Sequence, residues 1–237
     1  MAGQTRFNLS EAFVSVQGEG LQLGTPAIFV RARGCNLDCC WGGTPCDTRY
    51  ASQPEADDFV PLTTVLARVH ELAEAHPQVR QAVLTGGEPL LQQALPELMQ
   101  RLKADGFELT LETNGTQFKE LAVDFVSLSP KLASSTPAAR DRAADHDRNR
   151  RRPEVLRRWV AGGWPYQLKF VVHCPADEDE ILQLLPELGE VPPERVVLMP
   201  QGVDPEQLRR HAGLCVQMAI RRGWRYSPRA HIDAGIA

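Results

Sequence analysis

Short apolar runs alternate with amphipathic stretches along most of the chain. Ala12 to Val16 alternates apolar and polar positions, Gly18-Glu19-Gly20 breaks the run, and Ala27 to Ala32 reads as a second strand. Leu62, Val65, Leu66, Val69 and Leu72 then recur at helical spacing. Ala82-Val83-Leu84 predicts a short buried strand ending at Thr85-Gly86-Gly87, and Leu91, Leu95, Leu98, Met99 and Leu102 predict a helix over 90–103. Further strands are expected at 107–112, 124–128, 167–172, 195–199 and 224–227, with helices over 178–188 and 206–221.

Strands alternating with helices argue for parallel βαβ units. The polar and glycine-rich segments fall at the C-terminal ends of the predicted strands, where parallel sheets and barrels build their sites. The expected fold is α/β: a partial, modified TIM-type (β/α) barrel of about six mainly parallel strands. No Gly-x-Gly-x-x-Gly follows the first strand, which weakens a dinucleotide-binding reading.

The 237 residues suit one domain spanning 1–237, and the net charge of −4 gives no general nucleic-acid footprint. No apolar stretch approaches the ~20 residues that span a membrane. Met1 to Ser10 lacks the apolar segment of a signal peptide, so a cytoplasmic protein with reduced thiols is expected. Residues 132–165 hold eight arginines among four carboxylates and read as an exposed, partly mobile helical insertion, or else as a basic flap for an anionic substrate or partner. Cys174 and Cys215 lie in apolar contexts and read as core residues.

The other four cysteines, Cys35, Cys39, Cys40 and Cys46, fall within twelve residues on a turn-rich loop directly after an apolar strand. Clustered thiols in a reducing compartment point to a soft metal centre. A structural zinc site wants four N/S ligands in short pairs, and here there is neither a second Cys pair nor a nearby His. Three thiolates on one loop suit a [4Fe–4S] cluster with one open iron, with Cys35, Cys39 and Cys46 as ligands and Cys40 as an alternative in the middle.

The loop, together with Gly86-Gly87-Glu88-Pro89, resembles the radical S-adenosylmethionine superfamily, although the last cysteine gap is lengthened by Gly42 to Pro45. Within it, nearly the whole chain resembles the 7-carboxy-7-deazaguanine synthase family. That resemblance implies a radical lyase, acting in queuosine or 7-deazapurine biosynthesis, that converts 6-carboxy-5,6,7,8-tetrahydropterin to 7-carboxy-7-deazaguanine and ammonia. It implies a [4Fe–4S] cluster, S-adenosylmethionine and Mg²⁺, a flavodoxin- or ferredoxin-like reductant, and a homodimer. S-adenosylmethionine contacts are implied for Pro45, Cys46, Asp47, Gly87, Glu88, Glu112, Ser129, Pro130, Lys131, Met199, Pro200, Gln201 and Gly202. Substrate contacts are implied for Val16, Gln17, Gly18, Glu19, Arg31, Thr85, His231 and Ala237, and a Mg²⁺ contact for Thr48. No catalytic side chain is assigned, because the cofactor carries the radical.

Residue chemistry fits several of these roles. Arg31 lies among small and apolar residues, and its planar guanidinium suits bidentate capture of a carboxylate. Thr48 offers the hard oxygen that magnesium prefers, and Asp47 is placed to orient it. Gly18 and Gly20 permit close backbone approach to a flat ring. Bland readings stand beside these: a salt bridge for Arg31, turn roles for Asp47, Thr48, Ser129, Lys131 and Gln201, and tail packing for His231. Two other functions compete: a glycyl-radical activase acting on a partner protein, and a zinc-stabilised binding module.

Overall fold

The computed structural model describes residues 5–52 and 59–236. Strands β1 (Arg6–Val16) and β2 (Pro26–Ala32) precede a two-stranded hairpin, β3 (Cys40–Trp41) and β4 (Thr44–Pro45), and the short helix α1 (Arg49–Ser52). Then come β5 (Phe59–Pro61), α2 (Leu62–Ala75), β6 (Gln81–Gly86), α3 (Leu95–Ala104), β7 (Glu108–Thr113) and β8 (Phe125–Leu128). The second half holds α4 (Arg140–Arg150), α5 (Pro153–Ala161), β9 (Tyr166–Val172), α6 (Ala176–Leu188), β10 (Val196–Pro200), α7 (Pro205–Arg222), β11 (Arg225–Tyr226) and α8 (Ala230–Asp233).

Nine strands form one sheet in the order β11-β10-β9-β8-β7-β6-β2-β1-β5. From β2 to β11 every pairing is parallel, and β1 and β5 complete the other edge in antiparallel register. From β6 to β11 each strand adds beside its predecessor; α3, α5, α6 and α7 collect on one face, while α4 brings Arg142, Asp145 and His146 to the cavity on the other. Among the described residues β11 and β5 do not pair, so the barrel is open, as the sequence predicts.

Strand alternation sorts the two faces. Ile28, Val30, Ala82, Leu84, Leu109, Leu111, Val126, Leu128, Leu168, Phe170 and Leu198 belong to the core shared with the helices. The intervening positions Phe29, Arg31, Thr85, Glu112, Ser127, Lys169 and Met199 line a cavity on the opposite face. The hydrophobic demand of the first set therefore fixes where the polar members of the second set point.

Two stretches differ from the pattern-based expectation. The helix expected over 90–103 begins at Leu95, because Pro96 is tolerated only in a first turn. Pro89–Leu91 instead makes a single 3₁₀ turn, and Gln92 accepts from Asn8 N and donates to Arg33 O. The arginine-rich stretch 132–165 is the crossover between β8 and β9. Its second helix, α5, buries Leu156 and Trp159 in the main core, where the sequence reads the whole stretch as exposed. Arg150 is held by Asp147 and Glu180, and Arg151 by Glu187, so much of its charge is neutralised within the fold. Cys215 is buried as expected, whereas Cys174 is only half-buried.

Candidate active site

The cysteine loop reaches its shape through a tight hairpin. Cys40 pairs with Pro45 and Trp41 with Thr44, and Gly42 and Gly43 form the turn at φ of 55° and 91°. Positive φ at both central positions is what a two-residue hairpin demands and glycine supplies. The four residues that lengthen the last cysteine gap are thus looped out and closed on themselves. Across the hairpin's base Cys46 N donates to Cys39 O at 3.1 Å, which returns Cys46 to the neighbourhood of Cys39. Cys35, Cys39 and Cys46 line the cavity, while Cys40 sits in the hairpin ladder and is not among the lining residues. Leu37, Cys39 and Trp41 form an apolar bed against which Cys35, Cys46 and Val171 pack.

The cavity measures about 490 Å³ and lies against the C-terminal ends of β2, β6, β7, β8, β9 and β10. Its floor beside β6 is backbone: Gly87 N donates to Ala32 O and Glu88 N to Gly34 O. A Cβ built on Gly87 would lie 2.2 Å from Gly34 O, so only glycine fits there. Glu88 is wholly buried, and its carboxylate accepts from Leu90 N, Thr113 Oγ1 and Asn114 N. Its side chain locks the glycine turn to the end of β7 and does not line the cavity.

A buried ionic chain crosses the opposite wall. Lys169 on β9 pairs with Glu19 Oε2, and Arg229 pairs with Glu19 Oε1 at 2.8 Å, with Asp47, and with Gly202 O at 2.6 Å. Burial opposes ionisation of Glu19, yet Lys169, Arg229 and His231 hold its carboxyl well below the ordinary carboxylate range. Asp47 keeps about a third of its side chain exposed, and Arg229 lowers its carboxyl in the same way. Nearby, Glu112 accepts from Gln17 Nε2 at 2.9 Å and from Thr85 Oγ1 at 2.8 Å.

Residues 29–168 match the Radical SAM superfamily. A 7-carboxy-7-deazaguanine synthase of Halobacterium salinarum is 39% identical over 94% of this chain and 88% of its own length. That of Escherichia coli K12 is 30% identical over 98% of this chain and all of its own. The chain belongs to the 7-carboxy-7-deazaguanine synthase family, within the radical SAM superfamily. The crystal structure of QueE from Escherichia coli superposes with a TM-score of 0.69 at 26% identity, covering 96% of this chain and 95% of that one.

Radical SAM membership brings a [4Fe–4S] cluster and S-adenosylmethionine, and the thiol triad fits the cluster. Three free thiols face one cavity from an apolar bed, the soft donor set that iron–sulfur clusters take. Burial pushes the Cys35 thiol up to about 11, and raises Cys39 and Cys46 as well. The thiols therefore hold their protons at neutral pH and release them as metal binds.

Most residues that the sequence assigns to this family's site come together around the cavity. Val16, Gln17, Gly18, Glu19, Arg31, Pro45, Cys46, Asp47, Thr48, Thr85, Gly87, Glu112, Ser129, Lys131, Met199, Gln201, Gly202 and His231 all line it. Glu88, Pro130 and Pro200 do not, and Ala237 lies outside the described residues. Lys131 Nζ donates to Ser129 Oγ at 2.7 Å, and Thr48 Oγ1 lies 3.3 Å from Cys46 Sγ. His231 packs on Gly18, and Ala230 N donates to Gly18 O, so the C-terminal tail closes over the first loop.

Sequence reasoning missed Lys169, Arg229 and Asn36, all of which line the cavity. Lys169 had a signal: it is the one charged residue in the apolar strand Tyr166–Val172. Asn36, which bonds Asn114 and Thr116, had none beyond its place between two cluster-loop residues, and Arg229 had none at all.

Proposed function

We propose that this chain converts 6-carboxy-5,6,7,8-tetrahydropterin to 7-carboxy-7-deazaguanine and ammonia. The observation that carries the reading is the co-location, in one cavity, of the thiol triad with Gln17, Glu19, Arg31, Thr85 and His231. When bound, the cluster and S-adenosylmethionine supply one-electron chemistry and a carbon radical able to take hydrogen from the substrate. The chain's own residues bind, orient and shield.

In this reading the glycine turn at Gly86-Gly87, Ser129, Lys131 and Gln201 surround the methionine and adenosine parts of the cofactor. Glu19 and Gln17 face the hydrogen-bonding edge of the pterin, and Arg31 takes its carboxylate as a charge-assisted pair. Thr48 contributes a hydroxyl oxygen to Mg²⁺, with the substrate and water completing a shell of hard oxygens. Glu112 is held ready by Gln17 and Thr85 on the wall between these groups. A flavodoxin- or ferredoxin-like reductant, a homodimeric state and a cytoplasmic setting belong to the same proposal. No described helix is long and apolar enough to cross a membrane.

A glycyl-radical activase needs room for a protein segment, whereas here the tail carrying His231 folds over Gly18 beside the cavity. The deciding experiment is anaerobic reconstitution with iron and sulfide, then incubation with S-adenosylmethionine, reductant, Mg²⁺ and the carboxylated tetrahydropterin, with mass analysis. A brown protein yielding 7-carboxy-7-deazaguanine supports the proposal. A brown protein that only cleaves S-adenosylmethionine discards the substrate. A colourless protein binding one zinc overturns the reading.

A further inference from the structure

Arg31 is held in an unusual manner for an arginine at a cavity wall. Its Nε donates to Glu11 Oε1 at 2.7 Å, while its guanidinium carbon lies 5.7 Å from the Phe13 ring centroid. Among the described residues no protein group takes Nη1 or Nη2, although the side chain is only 15% exposed. Glu11 Oε1 also accepts from Tyr50 Oη at 2.6 Å. Tyr50 belongs to α1, which leaves the cluster loop directly after Thr48, and Tyr50 O accepts from Arg33 Nη1 at 3.1 Å.

The backbone is shaped to make this contact. Leu9 pairs with Ala32, but Glu11 pairs with Arg31, so Ser10 is an extra residue bulged from β1. Leu9 and Glu11 would share a face in a regular strand. The bulge inverts that parity: Leu9 packs on the core under the helices, and Glu11 stands opposite Arg31 on the cavity face. Bulges beside active sites commonly re-aim a side chain in this way. Glu11 itself keeps 40% of its side chain exposed, and its Oε1 is nonetheless held by both Arg31 Nε and Tyr50 Oη.

We propose that Glu11, braced by Tyr50, is the positioning residue of Arg31: it grips the guanidinium by Nε and leaves Nη1 and Nη2 paired toward the cavity for the substrate carboxylate. An arginine held by Nε presents its two terminal nitrogens in the end-on geometry that matches a carboxylate. The inference rests on the pterin reading above and extends it to residues outside the cavity's lining.

The test is anaerobic calorimetry on the cluster-reconstituted protein with S-adenosylmethionine and Mg²⁺ but no reductant, using two probes, 6-carboxy-5,6,7,8-tetrahydropterin and the tetrahydropterin lacking the carboxylate. Glu11→Ala should weaken the carboxylated probe roughly tenfold and leave the other within about twofold. Glu11→Gln, which keeps an acceptor oxygen, should recover part of the loss. Tyr50→Phe should give a smaller loss with the same selectivity. Equal weakening of both probes, or none of the carboxylated one, overturns the proposal. A parent that binds both probes equally removes the carboxylate clamp itself, and a parent that binds neither removes the pterin reading and this inference with it.

Discussion

Arg229 and Glu19 stand 210 residues apart in sequence and are joined by a 2.8 Å ion pair between Nε and Oε1. The pair ties the C-terminal tail to the loop after β1. Because Arg229 also reaches Asp47 and Gly202 O, one side chain binds together the first loop, the cysteine loop and the end of β10. With Lys169 the group holds two cations and two carboxylates: Lys169, Glu19 and Arg229 are largely buried, and the partly exposed Asp47 balances their charge.

Removing the central cation should therefore cost more than a surface pair would. Arg229→Gln leaves the largely buried Glu19 with only Lys169 to balance it and takes the partner from Asp47. The expected loss is ~3–5 kcal/mol, read by urea unfolding of the metal-free protein. Pairing it with Asp47→Asn should return part of that loss. A loss below ~1 kcal/mol, the value of an exposed pair, would mean that solvent reaches the network.

Acid should unfold the protein through the same group. The Glu19 carboxyl is held below its ordinary value, so the stabilisation it provides is complete above the unfolded-state value of about 4.3 and drains away as pH falls below it. Each unit of depression is worth about 1.4 kcal/mol. Glu19→Gln should be less stable at pH 7 and lose stability less steeply between about pH 5 and pH 2. Parallel acid limbs for parent and variant would remove Glu19 as a contributor.

Cys39 and Cys40 are adjacent in sequence but differ in where they face. Cys39→Ala, like Cys35→Ala or Cys46→Ala, should abolish the brown colour after reconstitution. Cys40→Ala should keep the iron and sulfide content of the parent. The reverse pattern would assign the middle thiol to Cys40.

Gly18 has no room for a side chain. A Cβ there would lie 2.0 Å from His231 Nδ1, so Gly18→Ala must displace the His231 side chain. The variant should bind the pterin at least about tenfold more weakly, the scale of losing one or two polar contacts, with the cluster content unchanged. Retained affinity would place His231 outside the substrate site.

Thr48→Ala should reduce the Mg²⁺ response of turnover more than it reduces iron content. An equal Mg²⁺ response in parent and variant would remove Thr48 from a magnesium site.

Much of the fold was legible because local pattern carried it. The apolar runs at 82–84 and 167–172 mark strands whatever they pair with, and Leu62 to Leu72 marks a helix by spacing alone. The helix start at Leu95 follows from Pro96, a local signal, whereas the 3₁₀ turn before it is held by Gln92, whose side chain serves Asn8 and Arg33 far away in sequence. The segment 132–165 differs because its arginines dominate its composition, while Leu156 and Trp159, flanked by Val155 and Val160, set α5 on the core.

The sequence by itself determined the chemistry: cysteines concentrated on one loop, a Gly-Gly-Glu-Pro turn at a strand end, and a family of enzymes that share both. Residue type and spacing suffice there, because soft-metal ligation and a backbone turn are local properties. Only the tertiary structure decided which groups share the cavity wall. It closed the cysteine gap with a hairpin, bulged Ser10 to set Glu11 against Arg31, and brought Arg229 from the far end of the chain onto Glu19 and Asp47. Those contacts depend on strand register and on chain ends meeting across the open barrel, and no local pattern encodes either.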